Sequence, residues 1–260
     1  MKKIITLILT LLMSVVACFG LTACGNDSTD VGVGDGKLVI GYTLYPPMNY
    51  MDESNNFVGF DTELAIEVCK ILKVDYEFKE IVWKNKVMSL DSKEIDVVWN
   101  GMTITDELKN AMSITNPYLE NKQVIVCKTA DAAKFSALSS KKGLDASGLE
   151  ILVETGSAGE STVKDLGLTP KCLSAQKDTL LEVKSGTNKV AVIDKLMADV
   201  LVGAGSANPD LTYVDVNFEL EFFGIGCRKN DVATTYAIEM AINQLKINGK
   251  FATLLAKYFG

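Results

Sequence analysis

Lys37-Leu38-Val39-Ile40-Gly41 is followed by Asp61-Thr62-Glu63-Leu64-Ala65-Ile66-Glu67-Val68-Cys69-Lys70-Ile71-Leu72 and then by Val74-Asp75-Tyr76-Glu77-Phe78-Lys79. The first stretch is a short apolar strand. The second places Leu64, Val68, Ile71 and Leu72 on one face of a helix that Asp61 is positioned to cap. In the third, Val74, Tyr76 and Phe78 alternate with charged residues, the pattern of a half-buried strand. Strand, helix and strand in succession announce an α/β sheet.

The same alternation extends outward in both directions. Val87 to Leu90 fit a short helix, and Ile95-Asp96-Val97-Val98-Trp99 a further strand. Gln123 to Cys127, Glu150 to Val153 and Lys189 to Ile193 are apolar runs of buried-strand type, with a helix expected over Asp178 to Ser185. At the end, Thr234 to Ile247 has helical spacing, Gly249 stops it, and Phe251 to Phe259 forms a last helix. Loops at the strand ends of such sheets are where ligands are held.

Towards the N-terminus the chain changes character. Lys2 and Lys3 precede an apolar run from Ile4 to Phe19 and then Leu21-Thr22-Ala23-Cys24. A basic start, a short apolar core and small residues at a cut site make residues 1–23 a secretory signal, because the run is too short to span a bilayer. Residues 24–36, rich in Gly and Asp, read as a flexible tether.

The 260 residues carry 26 basic and 33 acidic side chains, a net charge of −7, and no histidine. Loss of Lys2 and Lys3 would leave the mature chain more acidic still. Such a surface argues against nucleic acid and anionic lipid as partners. Without histidine, acid-base or metal chemistry would fall to carboxylates, Lys, Tyr or Cys. Cys69, Cys127, Cys172 and Cys227 form no close pair of the zinc or redox type, and their spacing selects no disulfide pattern. No cofactor or metal is expected.

Three segments carry a family resemblance. Tyr45-Pro46-Pro47-Met48 with Val58-Gly59-Phe60-Asp61, then Gly101-Met102-Thr103-Ile104-Thr105-Asp106-Glu107 running to Thr115-Asn116-Pro117-Tyr118, resemble the polar amino-acid-binding proteins of ABC importers, bacterial extracellular solute-binding protein family 3. The ending Ile247-Asn248-Gly249-Lys250 through Lys257-Tyr258-Phe259-Gly260 is similar to that family's C-terminal signature, and Leu21 to Cys24 resembles a lipobox. The resemblance implies an α/β, two-lobed periplasmic-binding-protein-like fold of type II, each lobe a β-sheet flanked by helices. Lobe 1 would comprise residues 37–118 and 223–260, lobe 2 residues 119–222, with hinge strands near 119–122 and 220–223.

The function so implied is that of a monomeric, non-enzymatic receptor, lipidated on Cys24 and held at the outer face of the cell membrane. It would close on a small polar nitrogen-bearing solute, an amino acid or related amine, and present it to an ABC permease. A dehydratase-like exported enzyme and a ligand-binding sensor subunit are the alternatives on the same scaffold. For the enzyme, Glu154, Glu160 or Asp194 would supply the acid or base.

Carried residue by residue, the resemblance puts Tyr45 and Trp83 on either side of the ligand, where aromatic faces suit an apolar stem or a cation. Asn100, Gly101 and Thr103 would offer backbone and side-chain groups at a strand end, although turn chemistry alone accounts for Gly and Thr there. In Thr155-Gly156-Ser157-Ala158-Gly159-Glu160, Ser157 and Ala158 would bind a carboxylate through their amides. Asp194 would pair with an ammonium, or else cap the helix beginning at Lys195.

Two positions depart from the family pattern. Leu108 stands where an arginine usually grips the ligand carboxylate, and Tyr42 where an aspartate is frequent. Arg228 is the chain's sole arginine. Either the ligand lacks a free carboxylate and rests in a box of Tyr42, Tyr45 and Trp83 with Asp194, or backbone amides and a lysine, Lys84 or Lys109, hold it, or amino-acid binding has been lost.

Overall fold

The strand–helix–strand unit at Lys37 starts one side of a ten-stranded mixed sheet in the computed structural model, which describes residues 36–136, 148–186, 189–216 and 218–260. The signal segment, Cys24 and all of the tether but Gly36 lie outside the described residues.

In chain order the elements are β1 (Lys37–Tyr42), the hairpin β2 (Tyr50–Met51) and β3 (Phe57–Val58), α1 (Phe60–Leu72), β4 (Asp75–Glu80), α2 (Lys86–Asp91) and β5 (Val97–Thr103). There follow α3 (Asp106–Ala111), β6 (Ser113–Ile114), β7 (Leu119–Lys128), α4 (Ala132–Ser136), β8 (Glu150–Glu154), α5 (Ala158–Asp165), β9 (Lys171–Leu173) and α6 (Gln176–Ser185). The chain closes with β10 (Lys189–Asp194), α7 (Lys195–Leu201), β11 (Leu211–Val214), β12 (Leu220–Cys227), α8 (Val232–Ile247) and α9 (Lys250–Phe259).

The strands run in the order β4-β1-β5-β12-β7-β10-β8-β9, with β11 beside β7 and β6 beside β12. At one side β4, β1 and β5 are parallel, and at the other β10, β8 and β9 are parallel. Between them β12 and β7 pair antiparallel, Leu220 opposite Lys122 and Phe223 opposite Leu119. Each half thus has its own parallel sheet, and two long strands join the halves.

Burial explains the order. Val97 to Met102 of β5 and Gln123 to Cys127 of β7 are buried on both faces, as central strands covered by helices must be. Helix α1 turns Leu64 and Val68 fully inward, while Ile71 and Leu72 are only partly covered. Strand β4 is an edge pairing with β1 alone, so Tyr76 is 44% exposed and the strand is wetter than its alternation suggests.

Asp61 does not cap α1. The cap position is Gly59, whose φ of 135° and tight approach to the Met48 carbonyl suit glycine. Asp61 lies one residue inside the helix and points into the protein. The expected stop at Gly249 is present, with α8 ending at Ile247 and Gly249 at φ 82° opening α9. Arg228 is tied to the sheet: its guanidinium donates to Asp96 Oδ1 at 2.6 Å and to the Ile95 carbonyl at 3.0 Å. Cys69, Cys127, Cys172 and Cys227 are all free thiols, and all but Cys172 are buried.

Candidate functional site

The ends of β1, β5, β8 and β10 converge on one cavity, where the parallel strands of both halves bring their carboxyl ends together. Its lining includes Thr43, Tyr45, Trp83, Asn100, Gly101 and Thr103 from one half and Glu154, Ser157, Ala158, Gln176 and Asp194 from the other. Eight of the nine residues expected in a ligand cleft are thus brought together. The ninth, Tyr42, is not among them: its ring packs on Phe57 at 4.5 Å and Phe78 at 6.2 Å, centroid to centroid, because its position in β1 directs it towards the β2–β3 hairpin and β4. An aromatic box containing Tyr42 is therefore corrected to a pair, Tyr45 and Trp83.

Asp194 ends β10 and precedes α7, but its side chain makes no capping hydrogen bond. It is 4% exposed, and its carboxylate instead accepts from the side-chain amides of Asn121, Gln123 and Gln176. Gln176 also accepts the Asp194 backbone amide through Oε1 at 3.2 Å, so the rotamer is held from two sides. Burial raises the Asp194 pKa, and the three amide donors oppose the rise by favouring the charged form. The Tyr45 hydroxyl lies close enough to favour that charge too, yet falls short of hydrogen-bond geometry and has no other partner.

A second carboxylate shares these donors. Gln123 Nε2 donates to both Asp194 Oδ1 and Glu221 Oε2 at 2.9 Å, and Asn121 Nδ2 reaches Glu221 Oε2 at 3.2 Å. Thr103 Oγ1 donates to the same oxygen at 3.1 Å. Burial first, and the charge of Asp194 second, push Glu221 up to about 7. Glu154, at the end of β8, is pushed up to about 8 by burial and then by Asp194, with Lys86 acting against both.

Several expected contact groups are engaged within the chain. The Asn100 amide donates to the Thr43 carbonyl at 2.9 Å and to Asn49 Oδ1 at 2.7 Å, and its oxygen accepts from Thr43 Oγ1 at 2.7 Å. Ser157 caps α5, accepting the Glu160 amide at 3.2 Å, while its own amide donates to the Glu154 carbonyl at 3.2 Å. Gly101 has φ 55°, and its amide donates to Asp61 Oδ2 at 2.6 Å.

The buried cation beside this site is Lys86; Lys84 lines the same adjoining chamber, and Lys109 does not. Lys84 and Lys109 are exposed, and Lys109 pairs with Asp106 at 3.0 Å. Lys86, 5% exposed, donates to the Gly156 carbonyl at 2.9 Å and stands 4.5 Å from the Trp83 ring centroid. Burial lowers its pKa to about 8. Leu108 is half-buried against the apolar cluster of Ile81, Trp83 and Met102, in a side chamber that Thr103, Ser157 and Lys86 also line.

Lys86, Gln123, Gln176, Asn121 and Glu221 were not singled out in the sequence. Only their type hints at the role, since amides and a lysine beside apolar strand residues are polar groups that must be buried. Among the described residues no three His, Cys, Asp or Glu side chains are placed to hold a metal ion.

Comparison with known proteins matches this geometry to a family. The model of bacterial extracellular solute-binding proteins, family 3, matches residues 38–260. The arginine-binding extracellular protein ArtP of Bacillus subtilis is 31% identical over 96% of this chain and 97% of its own. A crystal structure of a mutant of the arginine-binding protein ArgBP from T. maritima superposes with a TM-score of 0.77 at 31% identity, covering 86% of this chain and 95% of that one. The ancestral amino acid-binding protein AncCDT-1, a precursor of cyclohexadienyl dehydratase, gives a TM-score of 0.77 at 28% identity over 86% and 96%. The structural neighbours are type II periplasmic amino-acid-binding proteins, and this chain has their two-lobed α/β fold. With a match over nearly all of the described sequence, the chain belongs to the bacterial extracellular solute-binding proteins, family 3.

Proposed function

We propose that this chain is the receptor of an ABC importer, exported and lipid-anchored through Cys24, that captures a small nitrogen-bearing cation and delivers it to a membrane permease. The observation that carries the reading is Asp194: a buried carboxylate at a strand end, unused as a cap, lining a cavity together with Tyr45 and Trp83. A carboxylate held this way by amide donors is ready to receive an ammonium or guanidinium with little rearrangement. Relatives that bind arginine support a cationic solute.

Residues 37–118 with 223–260 act as one lobe and 119–222 as the other, turning about β7 and β12 where they pair near 119–122 and 220–223. The cavity takes residues from both lobes, so a ligand bound there favours the closed shape over the open one. Anchoring keeps the loaded protein near its permease and raises its effective concentration there.

A binding role suits the site better than catalysis. Glu154 does hold a proton near neutral pH, as an acid catalyst would, and one neighbour is a dehydratase precursor. The Glu154 side chain is nevertheless flanked by Asp194 and Lys86, and Asp194 shares the amide donors Asn121 and Gln123 with Glu221, a convergence of acceptors suited to holding a cation. Calorimetric titration with amino acids, amines and short peptides tests the reading, with saturable binding expected for at least one cation. Silence across the panel, with turnover of a prephenate-like acid, would transfer the assignment to the enzyme.

A further inference from the structure

The cavity is lined by two carboxylates and, among the described residues, by no cationic side chain. Asp194 and Glu154 are its ionisable members with Tyr45, and Glu221 lies one hydrogen bond away on Thr103. Lys86, buried next to it, is already engaged by the Gly156 carbonyl and the Trp83 face.

The anion-binding capacity of the turn before α5 is engaged as well. The Glu160 carboxylate accepts the Gly156 amide, the Ser157 amide donates to the Glu154 carbonyl, and Ser157 Oγ accepts the Glu160 amide. Of the two amides expected to hold a carboxylate, that leaves Ala158, with Glu154 and Glu160 in the same turn. A carboxylate entering this cleft would lose its hydration beside Asp194, and of the three lysines that line the adjoining chamber Lys86 and Lys164 are engaged within the chain and Lys84 lies exposed to water. Leu108, which lines the neighbouring chamber, offers it only an apolar surface.

A separate observation indicates what does fit. Tyr45 lines the cavity and is 4% exposed; its hydroxyl faces the Asp194 carboxylate without meeting hydrogen-bond geometry and has no other partner. Its lone pairs are acceptors for an N–H donor, and its ring with that of Trp83 provides faces for an apolar stem.

We propose that the solute is a primary amine or guanidine without a free carboxylate, the decarboxylated counterpart of an amino acid, its cationic head between Asp194 and Glu154 and its stem between Tyr45 and Trp83. This inference rests on the receptor reading above and sharpens its ligand class. Binding leaves every covalent bond intact; only charge is matched.

The test titrates the full chain calorimetrically with matched probes: agmatine against arginine, cadaverine against lysine, histamine against histidine. In each pair that gives measurable heat, the amine is expected to bind at least about ten-fold tighter, a margin of about 1.4 kcal/mol. A smaller margin, or an amino acid that binds better than its amine, overturns the inference and leaves the receptor reading intact. No binding by any of the six probes overturns both.

Discussion

The Asp61 carboxylate accepts the backbone amide of Gly101 at 2.6 Å, tying the first turn of α1 to β5 at the floor of the cleft. Tyr118 donates its hydroxyl to the same oxygen at 2.9 Å. Despite these bonds, burial pushes Asp61 up to about 7. Folding therefore takes up a proton at this site between the ordinary aspartate pKa and about 7. The protonated form stabilises fully below the lower value, and that contribution disappears as pH rises through the higher one.

Replacing Asp61 by Asn keeps one oxygen for both the Gly101 amide and the Tyr118 hydroxyl, with the amide nitrogen in the place of Oδ1, which accepts no hydrogen bond. The charged carboxylate costs on the order of 4 kcal/mol at pH 8, so Asp61→Asn is expected to melt several degrees above the parent at pH 8 and close to it at pH 5. Glu154 and Glu221, also raised by burial, leave a residual slope of the same sign. Parallel melting curves for parent and variant across this range would refute the assignment.

Asp194→Ala removes the charge that Asn121, Gln123 and Gln176 surround and leaves those donors without their acceptor. Loss of one partner from a buried ionic contact typically costs about 3–5 kcal/mol. Affinity for the cationic solute is expected to fall by more than about 100-fold in calorimetry, with the fold retained by circular dichroism. An affinity within a few-fold of the parent would show that the ammonium is held elsewhere.

Glu154, pushed up to about 8, is largely protonated at neutral pH until a cation arrives beside it. Binding should then expel a proton, and affinity should strengthen as pH rises from 6 towards 8 before levelling off. Asp194, Glu221 and Lys86 face the same region, so the proton count belongs to the cluster, with Glu154 its largest contributor. Titrations in two buffers of different ionisation enthalpy give that count directly. Glu154→Gln is expected to reduce it by roughly half or more; equal counts in parent and variant would remove Glu154 from the linkage.

The sequence groups Tyr42 and Trp83 in one aromatic box, and the structure separates them. Trp83 lines the cavity, while Tyr42 packs on Phe57 and Phe78. Trp83→Leu is expected to weaken cation binding by about ten-fold, the scale of a desolvated cation–π contact. Tyr42→Leu should lower the melting temperature and leave affinity within about two-fold. The opposite pattern would put Tyr42 back in the cleft.

That contrast shows what the sequence could carry. Apolar runs such as Lys189 to Ile193 declare their strands because burial on both faces leaves no polar alternation. Tyr45, Gly101 and Asp194 were legible because each stands in a short segment with its own recognisable order. The ring of donors around Asp194 was not: Asn121 and Gln123 lie on β7 and Gln176 on α6, and sheet pairing also brings Glu221 of β12 to the same two β7 amides as a second acceptor. Tyr42 was misplaced for the same reason, since the side to which a strand residue points depends on its neighbours in the sheet.

Gly101 allows a test of the floor of the cleft that does not depend on ligand identity. Its φ of 55° disfavours a side chain, and a Cβ there would stand 2.6 Å from Tyr45 Cε1 and 3.0 Å from Phe223 Cε2. Gly203, at φ 99°, has an open surrounding, so Gly203→Ala isolates the backbone strain at about 1 kcal/mol. Gly101→Ala adds crowding against two buried rings and is expected to cost about 1–3 kcal/mol more in denaturant melts. Because the ring that must move is Tyr45, the same variant should also weaken solute binding, whereas Gly203→Ala should not. Equal stability losses in the two variants would mean that Tyr45 is free to shift, and that the cleft floor is softer than the hydrogen bond from Gly101 to Asp61 implies.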